Sequence, residues 1–96
     1  MKPSSALELH KSSIRAITAR FKAANPRIFG SVLHGRDLEG SDLDILVDPL
    51  PGATLFDLGG LHSELEDLLG VKIDLLTPGD LPVKFRAQVL AEAKPL

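Results

Sequence analysis

Phe29-Gly30-Ser31-Val32-Leu33-His34-Gly35, followed after a short loop by Ser41-Asp42-Leu43-Asp44-Ile45-Leu46-Val47, carries most of the chemistry legible in this chain. Leu43, Ile45 and Val47 alternate with Asp42, Asp44 and Leu46, the period of a strand with one buried face. Asp42 and Asp44 therefore leave the same face, about 7 Å apart along the strand. Packing in a small domain does not call for two like charges side by side. A hard, oxygen-preferring cation such as Mg²⁺ does. Two such ions about 3.5–4 Å apart activate an attacking oxygen and stabilise a leaving one. Upstream, Arg27 to Phe29 reads as a short strand that stops at Gly30-Ser31. Glycine lets a backbone approach a phosphate closely. Ser31 adds a hydroxyl and, where a helical turn starts there, a backbone N–H. Gly35 then lets the chain turn away.

A third strand is expected from Val71 to Leu76. Val71, Ile73 and Leu75 share one face, and Lys72, Asp74 and Leu76 share the other. Central strands are depleted in Asp, and a buried carboxylate needs a partner. Asp74 is therefore expected to join Asp42 and Asp44 at one edge of a cleft, with Ser31 facing them. There it completes a three-carboxylate set for two ions, or accepts the proton of an attacking hydroxyl.

The flanking elements set the fold class. Ser5 to Glu8 reads as a capping box, opening a helix with Leu7, His10, Ile14, Ile17 and Phe21 at helical spacing and a stop at Asn25-Pro26. A loop runs from His34 to Gly40, and Pro49-Leu50-Pro51-Gly52 ends the Asp-bearing strand. Thr54 caps the next helix with Asp57 three residues on. Its apolar face is Leu55, Leu58, Leu61, Leu65, Leu68 and Leu69, and Gly70 is its stop. Gly59 and Gly60 each cost about 1 kcal/mol in its interior. After the turn Thr77-Pro78-Gly79-Asp80, a last helix is expected from Leu81 to Ala93, burying Phe85, Val89 and Leu90. Alternating helices and strands argue for one α/β or α+β two-layer domain over residues 1–96, with a small sheet whose strand order stays open.

Composition removes several function classes. The 96 residues include no cysteine, so disulfides and thiol chemistry are excluded. No apolar run approaches the roughly 20 residues of a membrane span, and Met1 to Leu9 lacks the pattern of a signal peptide. A cytoplasmic protein is expected. With a net charge of −2, no Lys/Arg cluster, no Trp or Tyr and only four Phe, direct nucleic-acid binding is not expected. His10 and His62 lack metal-ligand spacing and read as structural or solvated. Lys84 and Arg86 read as a solvated helix face.

Gly30-Ser31, ten intervening residues and Asp42-Leu43-Asp44 together resemble the signature of the DNA polymerase β-like nucleotidyltransferases. The fuller stretch and the strand Lys72-Ile73-Asp74-Leu75-Leu76 resemble the superfamily's minimal branch (MNT), a bare catalytic domain. The resemblance runs nearly the whole chain and implies a small mixed sheet packed with helices, the palm-like fold of polymerase β. It implies that Gly30 and Ser31 hold triphosphate oxygens, and that Asp42, Asp44 and Asp74 ligate two Mg²⁺ ions and act in catalysis. The substrate implied is ATP or another nucleoside triphosphate. Many of this branch resemble antitoxins paired with a HEPN-domain toxin, which implies transfer of AMP to a toxin hydroxyl. The alternative is an antitoxin that neutralises its partner by contact alone. One departure stands out: Leu33-His34 occupies the place where relatives commonly carry Ala-Arg. His34 is a weaker counter-charge near neutral pH, and Arg36 is the nearest substitute.

Overall fold

The computed structural model describes all 96 residues. Helix α1 (Pro3–Arg20) is followed by strand β1 (Ala23–Phe29) and a single turn, α2 (Gly30–Leu33). Strand β2 (Leu43–Pro49), helix α3 (Leu55–Leu69) and strand β3 (Ile73–Leu76) come next. A 3-10 turn (Pro78–Asp80), helix α4 (Val83–Glu92) and a two-residue strand β4 (Lys94–Pro95) complete the chain. The sheet order is β3-β2-β1-β4, with β2 parallel to β3 and antiparallel to β1, so the sheet is mixed.

Leu43, Ile45 and Val47 are fully buried on one face of β2, in a core built with Leu7 and Ile14 of α1, Leu61 and Leu65 of α3, and Ile73 of β3. Residues of the other parity leave the opposite face. Leu46 is buried there as well, where the 3-10 turn preceding Leu81 packs against β2. Asp48 accepts hydrogen bonds from Asn25 and from the nearly buried Arg27, at 3.1 and 3.0 Å.

Helix α1 starts earlier than its sequence suggests. Ser5 lies inside it and forms no capping box; Glu8 pairs instead with Lys11 at 3.0 Å. Pro3 takes the first turn, where its missing N–H costs nothing. The cap comes from far along the chain: Asp37 Oδ2 accepts the Ser4 N–H at 2.9 Å. That backbone hydrogen bond holds the Asp37 carboxyl below its usual range. An Asp37→Asn protein should melt below wild type, with the loss largest near neutral pH, as circular dichroism would show.

The helix also ends sooner, at Arg20, because Lys22 adopts a positive φ of 58° and turns the chain into β1. Asn25-Pro26 sits within β1 at a register irregularity between Ala24 and Arg27, where a residue without an N–H is tolerated.

Helix α3 follows its sequence pattern. Thr54 and Asp57 form the reciprocal capping box, and Gly70 closes the helix at φ 66°. Leu55, however, is exposed, as is Phe56. The two glycines differ: a Cβ on Gly59 meets nothing within 4 Å, whereas one on Gly60 comes within 2.6 Å of Phe21 Cε1. Gly59→Ala should therefore raise stability by about 0.5–1 kcal/mol. Gly60→Ala should come out at least about 1 kcal/mol less stable than Gly59→Ala, because the Phe21 ring must yield. Paired denaturant titrations with equal slopes would check both.

Helix α4 departs most from expectation. It spans Val83–Glu92 and buries none of its residues: Phe85 and Leu90 are exposed and Val89 is only partly covered. Arg86 ties α4 down by donating to the carbonyls of Gly79 and Leu81, at 3.3 and 2.9 Å, so it is not a purely solvated side chain. No helix is long and apolar enough to cross a membrane.

Candidate active site

Strand order brings the acidic residues together. β3 lies beside β2 in parallel, with Asp74 opposite Asp44 and Leu43 opposite Ile73. Asp44 and Asp74 therefore leave the same face, next to each other. Asp42, just before β2, shares that face, and Lys72, just before β3, lies alongside it with Nζ 3.9 Å from Asp42 Oδ2. The result is a two-by-two patch, Asp42 with Lys72 and Asp44 with Asp74.

On the other flank of β2, β1 runs out at Phe29, which pairs with Asp44, and Gly30 turns the chain at φ 72°. Gly30 lies directly against the Asp44 carboxylate, and a Cβ at position 30 would overlap Asp44 Oδ2. Glycine is required here on two counts, the left-handed backbone and the close approach. Ser31 follows at the head of the single turn α2. Its carbonyl accepts the Arg36 N–H at 2.9 Å, while its half-buried hydroxyl makes no hydrogen bond within the chain. The Ser41 hydroxyl is committed to the loop, accepting the Leu38 N–H at 2.9 Å.

Asp74 sits differently from the sequence-based expectation. It is exposed, because β3 is the edge of the sheet rather than an interior strand. The edge is blunted from α3. Glu66 accepts the Ile73 N–H at 2.9 Å, and His62 Nε2 lies 2.6 Å from the Ile73 carbonyl. Of the two expectations for His62, structural or solvated, this contact fits the first, although the ring stays partly exposed.

Asp44 carries the electrostatic load. Its partial desolvation, the hydrogen bond it shares with Asp74 and the charges of Asp74 and Asp42 push it up to about 6, from an ordinary 3.8. Ionised oxygens with no other counter-charge suit a hard divalent cation, which would replace the shared proton. No three acidic or imidazole groups converge into a ready-made cage. Asp42 is drawn to Lys72, and like charges do not gather before a cation arrives.

The sign of the pH dependence follows. A group whose folded pKa is raised binds more protons folded than unfolded, so the metal-free protein loses stability as pH rises from about 4 through about 6. Solvent screening at a half-buried site leaves on the order of 1 kcal/mol of this effect. Asp44→Asn should remove that loss and melt higher than wild type at pH 7 without metal. Millimolar Mg²⁺ with ATP should raise the wild-type midpoint and leave Asp44→Asn nearly unmoved. Melting curves across pH and metal concentration would show both.

Strand parity puts Lys72 on the face of Asp74 without giving it a place in the site. The parity signal was present; the pairing of Lys72 with Asp42 needed the strand order. Asp37, in the loop before β2, carries no local signal of its bond to Ser4.

The chain is similar to known proteins along most of its length. The sequence profile of the nucleotidyltransferase domain matches residues 11–96. Protein adenylyltransferase MntA of Thermococcus cleftensis is 36% identical over 88 residues, 92% of this chain and 86% of its own length. A Methanocaldococcus jannaschii protein, provisionally described as a protein adenylyltransferase, is 36% identical over 83 residues, 86% of this chain and 89% of that one. A solved structure provisionally described as a minimal nucleotidyltransferase superimposes with a TM-score of 0.87 at 41% identity, covering 97% of this chain and 95% of that one. A chain from a toxin–antitoxin crystal structure with AMP-PNP shares the fold, with a TM-score of 0.73 at 22% identity over 88% of this chain and 70% of that one. A profile spanning most of the chain, together with relatives matched over nearly their full lengths, places this protein in the nucleotidyltransferase domain family of enzymes, in its minimal branch.

Proposed function

We propose that this chain is a Mg²⁺-dependent protein adenylyltransferase that moves AMP from ATP onto a hydroxyl of a HEPN-type toxin, acting in the cytoplasm as the antitoxin of the pair. The observation that carries this reading is the contact of Gly30 with Asp44, beside Asp74. It sets a turn suited to phosphate oxygens directly against carboxylates suited to a metal. The protein adenylyltransferases among its relatives support the nucleotide and the class of acceptor.

In this reading the backbone at Gly30 and the free hydroxyl of Ser31 hold the triphosphate. Asp42, Asp44 and Asp74 hold the metal, which supplies positive charge to the phosphate oxygens when bound. The acceptor oxygen bonds to the α-phosphorus, the bond to the bridging oxygen breaks and pyrophosphate leaves. The hydroxyl proton passes to Asp74, whose exposure lets it exchange with water.

A second reading, neutralisation by contact alone, is favoured by one observation. His34, at the position where relatives commonly carry an arginine, lies 3.5 Å from Glu92 of α4 rather than free for a phosphate. The direct experiment incubates the protein with ATP, Mg²⁺ and the toxin-like product of the neighbouring gene, followed by mass spectrometry of both chains. A mass gain of one AMP on the partner is expected. An unmodified partner bound tightly to this chain would overturn transfer in favour of contact.

A further inference from the structure

A cavity of about 400 Å³ opens where β2 and β3 begin, between the loop Glu39-Gly40-Ser41 and the segment Gly70-Val71-Lys72. It shares Lys72 with the acidic patch. Its position relative to the phosphate turn is set by strand order: Gly30 and Ser31 follow β1 on one flank of β2, while Lys72 precedes β3 on the other. Phosphoryl transfer places the attacking and leaving oxygens roughly in line across phosphorus. With the triphosphate on the β1 flank, an acceptor oxygen approaching in line from the β3 flank would pass Lys72, the residue that the cavity shares with the acidic patch.

We propose that this cavity is the acceptor seat, that it takes a hydroxyl-bearing side chain on an extended, acidic stretch of polypeptide, and that Lys72 is its positioning residue. The inference rests on the nucleotide-transfer reading for the direction of attack. The cavity suits one side chain with its flanking main chain, and it is too small for a folded element. Two of its walls, Gly40 and Gly70, have open space where a side chain would stand, so a main chain can pass close. Lys72 selects the charge. Its side chain is 73% exposed, and its one ionic partner, Asp42, lies at 3.9 Å, well beyond a charge-assisted hydrogen bond of about 2.8 Å. A cation taking Asp42 leaves the ammonium without an ion pair at the mouth of the seat, since the Glu66 carboxylate whose charge it also feels is engaged by the Ile73 N–H and His62. The acidic wall residue, Glu39, is neutralised by the amino group of Met1, which also lines the cavity, 3.1 Å distant. Acidic flanks on an acceptor therefore meet an unpaired positive charge, and a polycationic acceptor is repelled.

The probes are two fluorescent nonapeptides, each with one central tyrosine, flanked by aspartates in one and by lysines in the other. Binding is read by anisotropy with Mg²⁺ and a non-hydrolysable ATP analogue, on wild type, Lys72→Met and Lys72→Glu. Wild type should bind the acidic peptide about five-fold more tightly, the scale of an exposed ion pair. Lys72→Met should level the two peptides and Lys72→Glu should invert them, with melting midpoints close to wild type because Lys72 is exposed. With ATP in place of the analogue, Lys72→Met should raise the KM for the acidic peptide and leave the KM for ATP unchanged. Equal affinities in wild type, no measurable binding of either peptide, or a preference that survives in Lys72→Met would overturn the seat. An intact preference for the acidic peptide in a protein that transfers AMP to neither would support the seat and sink the transfer reading.

Discussion

Asp42→Asn and Asp44→Asn proteins are expected to lose nucleotide transfer by about a thousand-fold or more while remaining folded. Each substitution removes a ligand charge and keeps side-chain size. Metal-held charge stabilisation is worth several kcal/mol in the transition state, and each 1.36 kcal/mol is tenfold in rate. Their stabilities should separate them. Asp44 is the carboxyl pushed up to about 6, so its neutralisation relieves repulsion and raises the metal-free melting midpoint. Asp42 has an exposed lysine partner at 3.9 Å, so its loss changes little. The same two proteins distinguish the modes of neutralisation. Binding to a toxin partner should survive in both, because the metal ligands need not lie in the partner surface. Toxin neutralisation in cells should be lost with transfer. A transfer-dead Asp42→Asn that still neutralises fully would leave contact as the operative mechanism.

The second large effect is expected at Gly30. An alanine there must adopt φ near 72° and place its Cβ into the Asp44 carboxylate. The left-handed backbone and the displaced side chain together should cost about 2–3 kcal/mol of stability. Transfer should fall by more than tenfold even at temperatures where the protein is fully folded, because Asp44 moves off the face it shares with Asp74. A double-mutant cycle tests the cause. In an Asp44→Ala background the Gly30→Ala penalty should shrink by about 1 kcal/mol, leaving mainly the backbone term. An unchanged penalty in that background would assign the effect to the backbone alone and remove the argument that the glycine is there for the carboxylate.

Much was legible locally. The two-residue period of Leu43, Ile45 and Val47 placed them in the core and put Asp42 and Asp44 on one opposite face, because alternation is a property of the strand itself. The Thr54 and Asp57 box and the Gly70 stop were legible for the same reason, since each is satisfied within a few residues of chain. The Gly-Ser turn after β1 belongs with them.

What stayed hidden was non-local. Only the sheet order sets β3 beside β2, Asp74 against Asp44 and Lys72 near Asp42. Strand pairing depends on contacts remote in sequence, which periodicity does not report. The start of α1 was misplaced because its cap is Asp37, 33 positions away from Ser4, while Ser5 offered a local signal that the fold does not use. The apolar neighbours of Asp74 point to an interior strand, yet the closure of the β3 edge by His62 and Glu66 is made by side chains of another element. The apolar residues of α4 have helical spacing, but spacing says only which residues share a face. Whether a face is buried depends on what the rest of the chain brings against it, and here no residue of α4 becomes buried.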